Sequence, residues 1–340
     1  MKAVGLYQYL PIDDENALID VDIDQPHAPA GHDLLVAVKA ISVNPVDTKV
    51  RSPKDQTESS PRVLGWDAAG EVVALGSDVE HYKVGDRVYY AGDITRAGSN
   101  SELQLVDERI TGKMPNTLDF AQAAALPLTS ITAWEALFER MGICPEGQDA
   151  NKSILIIGAA GGVGSIAIQL AKQLAQLNVI ATASRDDTIN WVKQMGADQV
   201  INHRKPLDEE LKTLNIETVD YILCLNATDQ HWQAMANAIA PQGHICSIVE
   251  TEHPVDLGLL KSKSASFSWE FMFTRAMFQT DDMIEQQKLL NRIAAGIDQG
   301  ELQGTMKECI KPINAQNLRR VHGLLESGKA IGKVVLTHWE

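Results

Sequence analysis

Residues Ser153 to Ser165 read Ser-Ile-Leu-Ile-Ile-Gly-Ala-Ala-Gly-Gly-Val-Gly-Ser, and they carry the clearest chemistry in the chain. Ile154 to Ile157 is a short run rich in β-branched residues. It leads directly into Gly158, Gly161, Gly162 and Gly164, and Val163 to Ala175 then carries apolar residues at helical spacing. A strand, a glycine turn and a helix in that order aim backbone N–H groups at an anion. Gly158 allows the tight turn, Gly161 and Gly162 let a pyrophosphate approach the backbone, and Gly164 lets the helix pack closely on the strand. The expected ligand is a dinucleotide. A second apolar strand, Asn178 to Ala183, ends at Ser184-Arg185, where such a site inspects the adenosine ribose. An acid there would bind the 2′-hydroxyl of NAD, whereas Ser184 and Arg185 offer donors and a positive charge suited to the 2′-phosphate of NADP. Asp186 and Asp187 follow at once and are read as the first turn of the next helix, where acids suit the helix dipole.

These groups need a scaffold, and the composition limits what it is. A chain of 340 residues exceeds one small core, so two medium domains are expected. Hydrophobic residues make up 44% and charged residues 22%, ordinary values for a folded protein. The net charge of −15 repels phosphate backbones, which argues against a nucleic-acid partner. The start has no signal-peptide pattern, and no stretch is long enough to span a bilayer, so a cytoplasmic enzyme with no membrane partner is expected. Cys144, Cys224, Cys246 and Cys309 are scattered without a CxxC pair, as suits reduced thiols rather than a zinc knot.

From Met1 to about Pro127 short strands alternate with turns, which predicts a compact β-barrel-like domain. Within it Val43-Asn44-Pro45-Val46-Asp47 ends a strand and starts a short helix, with Asn44 either its cap or a functional group. Trp66, between small residues in Gly65-Trp66-Asp67-Ala68-Ala69-Gly70, is either core or part of a site. Leu118 to Met141 predicts two helices meeting at Pro127. Beyond the glycine motif, helices and apolar strands alternate to about Ser264, the pattern of a parallel sheet covered on both faces. The tail returns to the first domain. The predicted boundaries are 1–127 with 265–340 for the barrel and 128–264 for the nucleotide domain.

Taken together, Val43 to Asp47, Gly65 to Val72, Val84-Gly85-Asp86-Arg87-Val88, Ala124 to Pro127 with Thr129 and Ala133, Gly158 to Gly164, Gly196-Ala197-Asp198 and Gly328 to Val335 resemble the medium-chain dehydrogenase/reductase superfamily. Ser268 to Arg275 with Met277 to Thr280 is similar to its quinone oxidoreductase branch, in the group often labelled zinc-type alcohol dehydrogenase-like. The resemblance implies an α/β plus β fold, in which a GroES-like barrel is interrupted by a Rossmann domain. It also implies a homodimer and a small electrophilic substrate.

Zinc-dependent members carry a Cys where this chain has Asn44 and a Gly-His-Glu where it has Gly65-Trp66-Asp67, so no metal ligand set and no zinc are expected. The resemblance then implies hydride transfer from NADPH to a quinone, enone or related carbonyl, with the developing charge held by oriented donors. Asn44, Thr129 and a bound water are the expected donors, Asp47 fixes the loop, and Trp66 or Phe271 stacks on a flat substrate. By position, Gly161, Gly162 and Val163 meet the pyrophosphate, Ser184, Arg185 and His203 the adenosine phosphate, and Asn226, Ile248, Phe271 and Phe273 the nicotinamide half. The family commonly shows Tyr where this chain has His203. The alternatives are a zinc-dependent alcohol dehydrogenase and a non-catalytic NADPH-binding protein.

Overall fold

Leu34, Val36, Val38 and Ala40 alternate with less buried neighbours along Asp33–Ser42, and this period of two makes the segment the central strand of a sheet. The computed structural model describes all 340 residues, Met1–Glu340. Asp33–Ser42 pairs antiparallel with Ala68–Leu75 along one side, and with Lys333–Thr337 and Leu103–Asp107 in turn along the other. Arg87–Tyr90, Thr111–Lys113 and Met306–Ile310 complete a seven-stranded sheet, and Lys2–Tyr9 sits between Ile19–Asp22 and Lys54–Val63 in a separate three-stranded one. Close backbone approach fixes Gly70: a Cβ there would lie 2.3 Å from the Ala37 carbonyl oxygen on the paired strand.

The strands of the second unit instead read as nearly continuous apolar runs, because helices cover both faces of the sheet. They are parallel and ordered Gln199–Ile201, Asn178–Thr182, Ser153–Ile157, Val219–Cys224, Ile239–Ser247 and Ser266–Trp269. Leu155, Ile157, Ile180, Ile222 and Ile245 join Trp232 and Met235 in one buried cluster. Each such side chain contributes about 1.5–3 kcal/mol by leaving water.

The chain divides into Met1–Ile131 with Phe273–Glu340 and, as the second unit, Thr132–Met272. The sequence places the second boundary at 264, eight residues too early, because Ser266–Trp269 pairs with Ile239–Ser247 as the sixth strand of the nucleotide-type sheet. The predicted pair of helices is Phe120–Ala124 and Pro127–Trp134, and the second runs on into a π-helical turn, Glu135–Arg140. No helix is long and apolar enough to cross a membrane, and all four cysteines are free.

Candidate functional site

In the second unit, Ser153–Ile157 passes through Gly158, at φ +79°, into the helix Gly162–Gln169, with Gly161 as its N-cap. The Gly158 N–H donates to Thr182 Oγ1 on the next strand at 3.1 Å, which pins the turn to the sheet. Ser165 N–H makes the first intrahelical bond, to Gly161 O at 2.9 Å, so the amides of Gly162, Val163 and Gly164 precede the helical ladder and are oriented for an anion. A Cβ on Gly164 would lie 2.3 Å from Ala159 O, so this glycine is required by the fold. On Gly161 a Cβ would meet only Gly158 O, at 3.5 Å, and the space beside it is open. A pyrophosphate fits this cradle.

The next strand delivers Ser184 and Arg185. Arg185 is the N-cap residue of the helix Asp186–Gln194, and its N–H and carbonyl both bond Thr188 Oγ1, at 3.1 and 2.7 Å. Asp186 and Asp187 form that helix's first turn, as expected, but Asp187 also accepts from Arg185 Nε at 3.3 Å. His203 Nε2 lies 3.5 Å from Ser184 Oγ. Burial, with the charges of Arg204 and Arg185, pushes the His203 pKa down, and burial with His203 does the same to His231. The structure therefore brings Ser184, Arg185 and His203 together beyond the carboxyl ends of two strands.

Asn226 and Ile248 also follow the carboxyl ends of strands. Leu225 and Asn226 are the nearest residues to a Cβ built on Gly158, at 3.3 and 3.4 Å, and Ile248 N–H donates to Cys224 O at 3.2 Å. Phe271 is 48% exposed just past the edge strand. Phe273 is buried in the first unit with its ring edge-on to Trp66, centroids 6.2 Å apart. Trp66 is itself 1% exposed, and its Nε1 donates to Asp93 O at 3.3 Å. Of the aromatic residues expected to face a ligand, Trp66 and Phe273 are therefore core and Phe271 is the exposed one, because the two buried rings pack on each other and the indole N–H has a backbone partner.

The first unit gathers Asn44, Asp47, Asp67, Leu128, Thr129 and Lys333. Asn44 stands at the N-cap position of the helix Pro45–Arg51, but its side chain does not cap. Nδ2 instead donates to Asp67 Oδ2 at 2.8 Å and more weakly to Trp66 O at 3.4 Å, while Oδ1 accepts from Lys333 Nζ. Asp47, one turn on, accepts from Asn44 N–H at 2.7 Å and so fixes the loop as expected. Lys333 Nζ also donates to Asp67 Oδ2 at 3.0 Å and Val43 O at 3.1 Å, so its three protons meet three acceptors. The other Asp67 oxygen accepts from Leu128 N–H at 2.8 Å, in the first turn of the helix carrying Thr129. Thr129 Oγ1 donates back to Leu126 O at 3.1 Å.

Lys333 is the residue that sequence reasoning missed. The available signal was a lysine opening the apolar strand Lys333–Thr337, every residue of which is buried. Burial raises the Asp67 pKa and the Lys333 charge opposes the rise. Burial likewise pushes Asp47 up to about 7, against Asn44 N–H and Lys333. Because the folded value lies above the unfolded one of about 3.9, stability from Asp47 is fully present below pH ~4 and lost as pH rises through about 7. Asp47→Asn is expected to flatten the fall in the urea midpoint between pH 5 and 8, and an unchanged slope refutes this.

These positions do not fit zinc. Asn44 and Trp66 are not zinc ligands, both oxygens of Asp67 accept hydrogen bonds, and an ammonium already lies 3.0 Å from it. No group of three or more His, Cys, Asp or Glu is arranged to hold a metal ion.

Residues 30–116 match the family model for the alcohol dehydrogenase GroES-like domain, and residues 162–286 the model for zinc-binding dehydrogenases. A zinc-type alcohol dehydrogenase-like protein of Staphylococcus epidermidis is 46% identical over 338 residues, 99% of each chain. A crystal structure from Rhizobium etli CFN 42, of a protein provisionally described as a zinc-dependent alcohol dehydrogenase, superposes with a TM-score of 0.95 at 50% identity, covering 100% of this chain and 98% of the other. The Escherichia coli quinone oxidoreductase complexed with NADPH superposes with a TM-score of 0.81 at 27% identity, covering 99% of this chain and 100% of the other.

Proposed function

The chain belongs to the medium-chain dehydrogenase/reductase superfamily, and on that premise we propose that it is an NADPH-dependent reductase of quinones, enones or related reactive carbonyls that works without a catalytic metal. The observation that carries this reading is the Asn44–Asp67–Lys333 cluster, in which an amide stands where the family resemblance places a zinc-binding Cys and an ammonium pairs with the one carboxylate beside it. NADPH bound to a quinone oxidoreductase of the same fold supports the cofactor choice.

When bound, the dihydronicotinamide supplies the hydride. The amides of Gly162 and Val163 would hold its pyrophosphate, and Ser184, Arg185 and His203 its 2′-phosphate. Asn226, Ile248 and Phe271 would line the nicotinamide half, with the exposed Phe271 ring stacking on a flat acceptor. Reduction of a conjugated carbonyl puts negative charge on its oxygen. The Asn44 N–H held only weakly by Trp66 O, at 3.4 Å, is the donor most easily released to that oxygen. Lys333 holds the amide from its Oδ1 side and polarises it, and Asp47 fixes the loop. Thr129 has its proton on Leu126 O, so its oxygen orients a water that protonates the product. The proposal also includes a cytoplasmic homodimer, which light scattering would test.

NADPH oxidation with a panel of small quinones and enones is the direct test. Turnover that is insensitive to chelator, by protein without stoichiometric zinc, is expected. Zinc near one per chain, with activity lost to chelation and restored by Zn²⁺, would establish the alcohol dehydrogenase alternative, and NADPH binding without turnover a non-catalytic one. For cofactor choice, Arg185→Ala should weaken NADPH by roughly 10–150-fold, the equivalent of a charge-assisted bond of about 1.5–3 kcal/mol, and leave NADH nearly unchanged. Equal losses for both in a fluorescence titration would remove Arg185 from the 2′-phosphate site.

A further inference from the structure

Glu135 and Glu270 carry side chains that are 1% and 0% exposed, and neither has a role in the sites above. Glu135 opens the π-helical turn Glu135–Arg140. Glu270 follows the edge strand Ser266–Trp269, and its N–H donates to Ser247 O at 2.9 Å, which fixes it at the carboxyl end of the parallel sheet. Arg140, a third exposed, donates from Nε to Glu270 Oε2 at 2.8 Å and lies 3.8 Å from Glu135 Oε2. In a regular α-helix residues five apart point about 140° away from each other. The wider turn here brings Glu135 and Arg140 to one side, and π-helical turns recur at functional sites.

Two carboxyl groups and one guanidinium leave a surplus negative charge if both acids are ionised. Both carboxyl groups face the one Arg140 guanidinium, which places them side by side. Carboxylate oxygens only accept, so two of them lie together without repulsion only when one carries a proton. Glu270 Oε1 is buried and meets no hydrogen-bond partner, so a proton carried there displaces no existing bond. Two buried acids in one site do not both ionise near neutrality. The other titratable groups facing the pair are Glu139 on the same turn, 3.8 Å from Arg140, and Cys246 on the neighbouring strand; neither is a second cation.

We propose that Glu135, Arg140 and Glu270 form a one-proton clasp that positions the segment Trp269–Met272, and with it the exposed Phe271 ring, for the nicotinamide half of the cofactor, an inference that rests on the NADPH reading above. In open α/β sheets ligands bind beyond the carboxyl ends of the strands, and the clasp sits at that end of the outermost strand, with Phe271 the next residue. Glu270 and Glu135 are positioning residues: both are buried away from solvent, and they act through the backbone that carries Phe271. Burial and the neighbouring Glu135 push the Glu270 pKa up to about 9, with Arg140 opposing. The clasp is therefore closed at neutral pH, and its contribution is lost as pH rises through about 9.

The test compares NADPH with 2′-phospho-ADP-ribose, which lacks the nicotinamide, by titration calorimetry from pH 7 to 10. Glu270→Ala is expected to weaken NADPH about tenfold and leave 2′-phospho-ADP-ribose unchanged. In the parent chain NADPH affinity should fall above pH ~9 while that of 2′-phospho-ADP-ribose does not. Glu270→Gln, whose amide supplies the N–H that the shared proton otherwise supplies, should keep neutral-pH affinity and lose the alkaline fall. Equal weakening of both ligands in a folded Glu270→Ala, or an alkaline fall that persists in Glu270→Gln, overturns the clasp. If Glu270→Ala does not fold, the pH profile of Glu270→Gln decides alone. A parent chain that binds neither ligand overturns the NADPH reading and the clasp with it.

Discussion

Lys333→Met is expected to destabilise the chain by about 3–5 kcal/mol, the effect of removing one partner from a buried ion pair. Lys333 is 3% exposed, and its ammonium serves Val43 O, Asn44 Oδ1 and Asp67 Oδ2 together. Methionine matches the stem and leaves Asp67 buried with its charge uncompensated. For a domain of this size the melting temperature should fall by roughly 6–20 °C. The sign of the pH response follows from the same charge. Protonation of Asp67 relieves the penalty, so the deficit of the variant should shrink as pH is lowered, and Lys333→Met combined with Asp67→Asn should recover most of the loss. A single variant as stable as the parent at pH 8 would mean that the pair is not closed in solution. Because Lys333 also holds Asn44, any folded fraction should be slow in turnover, and calorimetry with NADPH oxidation on the same sample separates the two effects.

The second large effect is expected at the glycine turn. Gly161→Val should weaken NADPH by on the order of 100-fold or more while the melting temperature of the free protein barely changes, since a side chain there blocks the backbone approach that a pyrophosphate needs. Gly161 is the right probe because the fold itself does not require a glycine there. Its φ of −75° and ψ of −179° suit any residue, and a Cβ would touch only Gly158 O at 3.5 Å. Gly164 would not serve, because a side chain there collides with the backbone of Ala159 and failure to bind would report only a damaged helix. Retained NADPH affinity in a folded Gly161→Val protein would move the cofactor away from this turn.

The contrast between Gly161 and Lys333 marks what was legible in the sequence. Strand, glycine turn and helix are local: Ile154 to Ile157 sets the strand by residue type, Gly158 sets the turn by its freedom at positive φ, and the spacing of 158, 161, 162 and 164 sets the anion cradle. Ser184-Arg185 is local as well, since it follows the second strand directly, and the alternation of strands and helices after it fixed a parallel sheet. The absence of Cys and His from the loops at Asn44 and Trp66 could likewise be read residue by residue.

Pairings of distant segments could not. That Ser266–Trp269 belongs to the nucleotide-type sheet depends on a hydrogen-bond ladder with Ile239–Ser247, and a four-residue strand carries no periodic signal that names its partner. Trp66 and Phe273 lie 207 positions apart, and only their packing shows that each ring is core. Lys333 is separated from Asn44 by 289 residues and from Asp67 by 266, and Glu270 from Arg140 by 130. The sequence by itself determined which groups were available, because residue type and short-range spacing set backbone conformation and hydrogen-bonding capacity. Only the tertiary structure decided which buried charges meet, because burial makes an unpaired charge too costly to keep and the fold alone selects its partner.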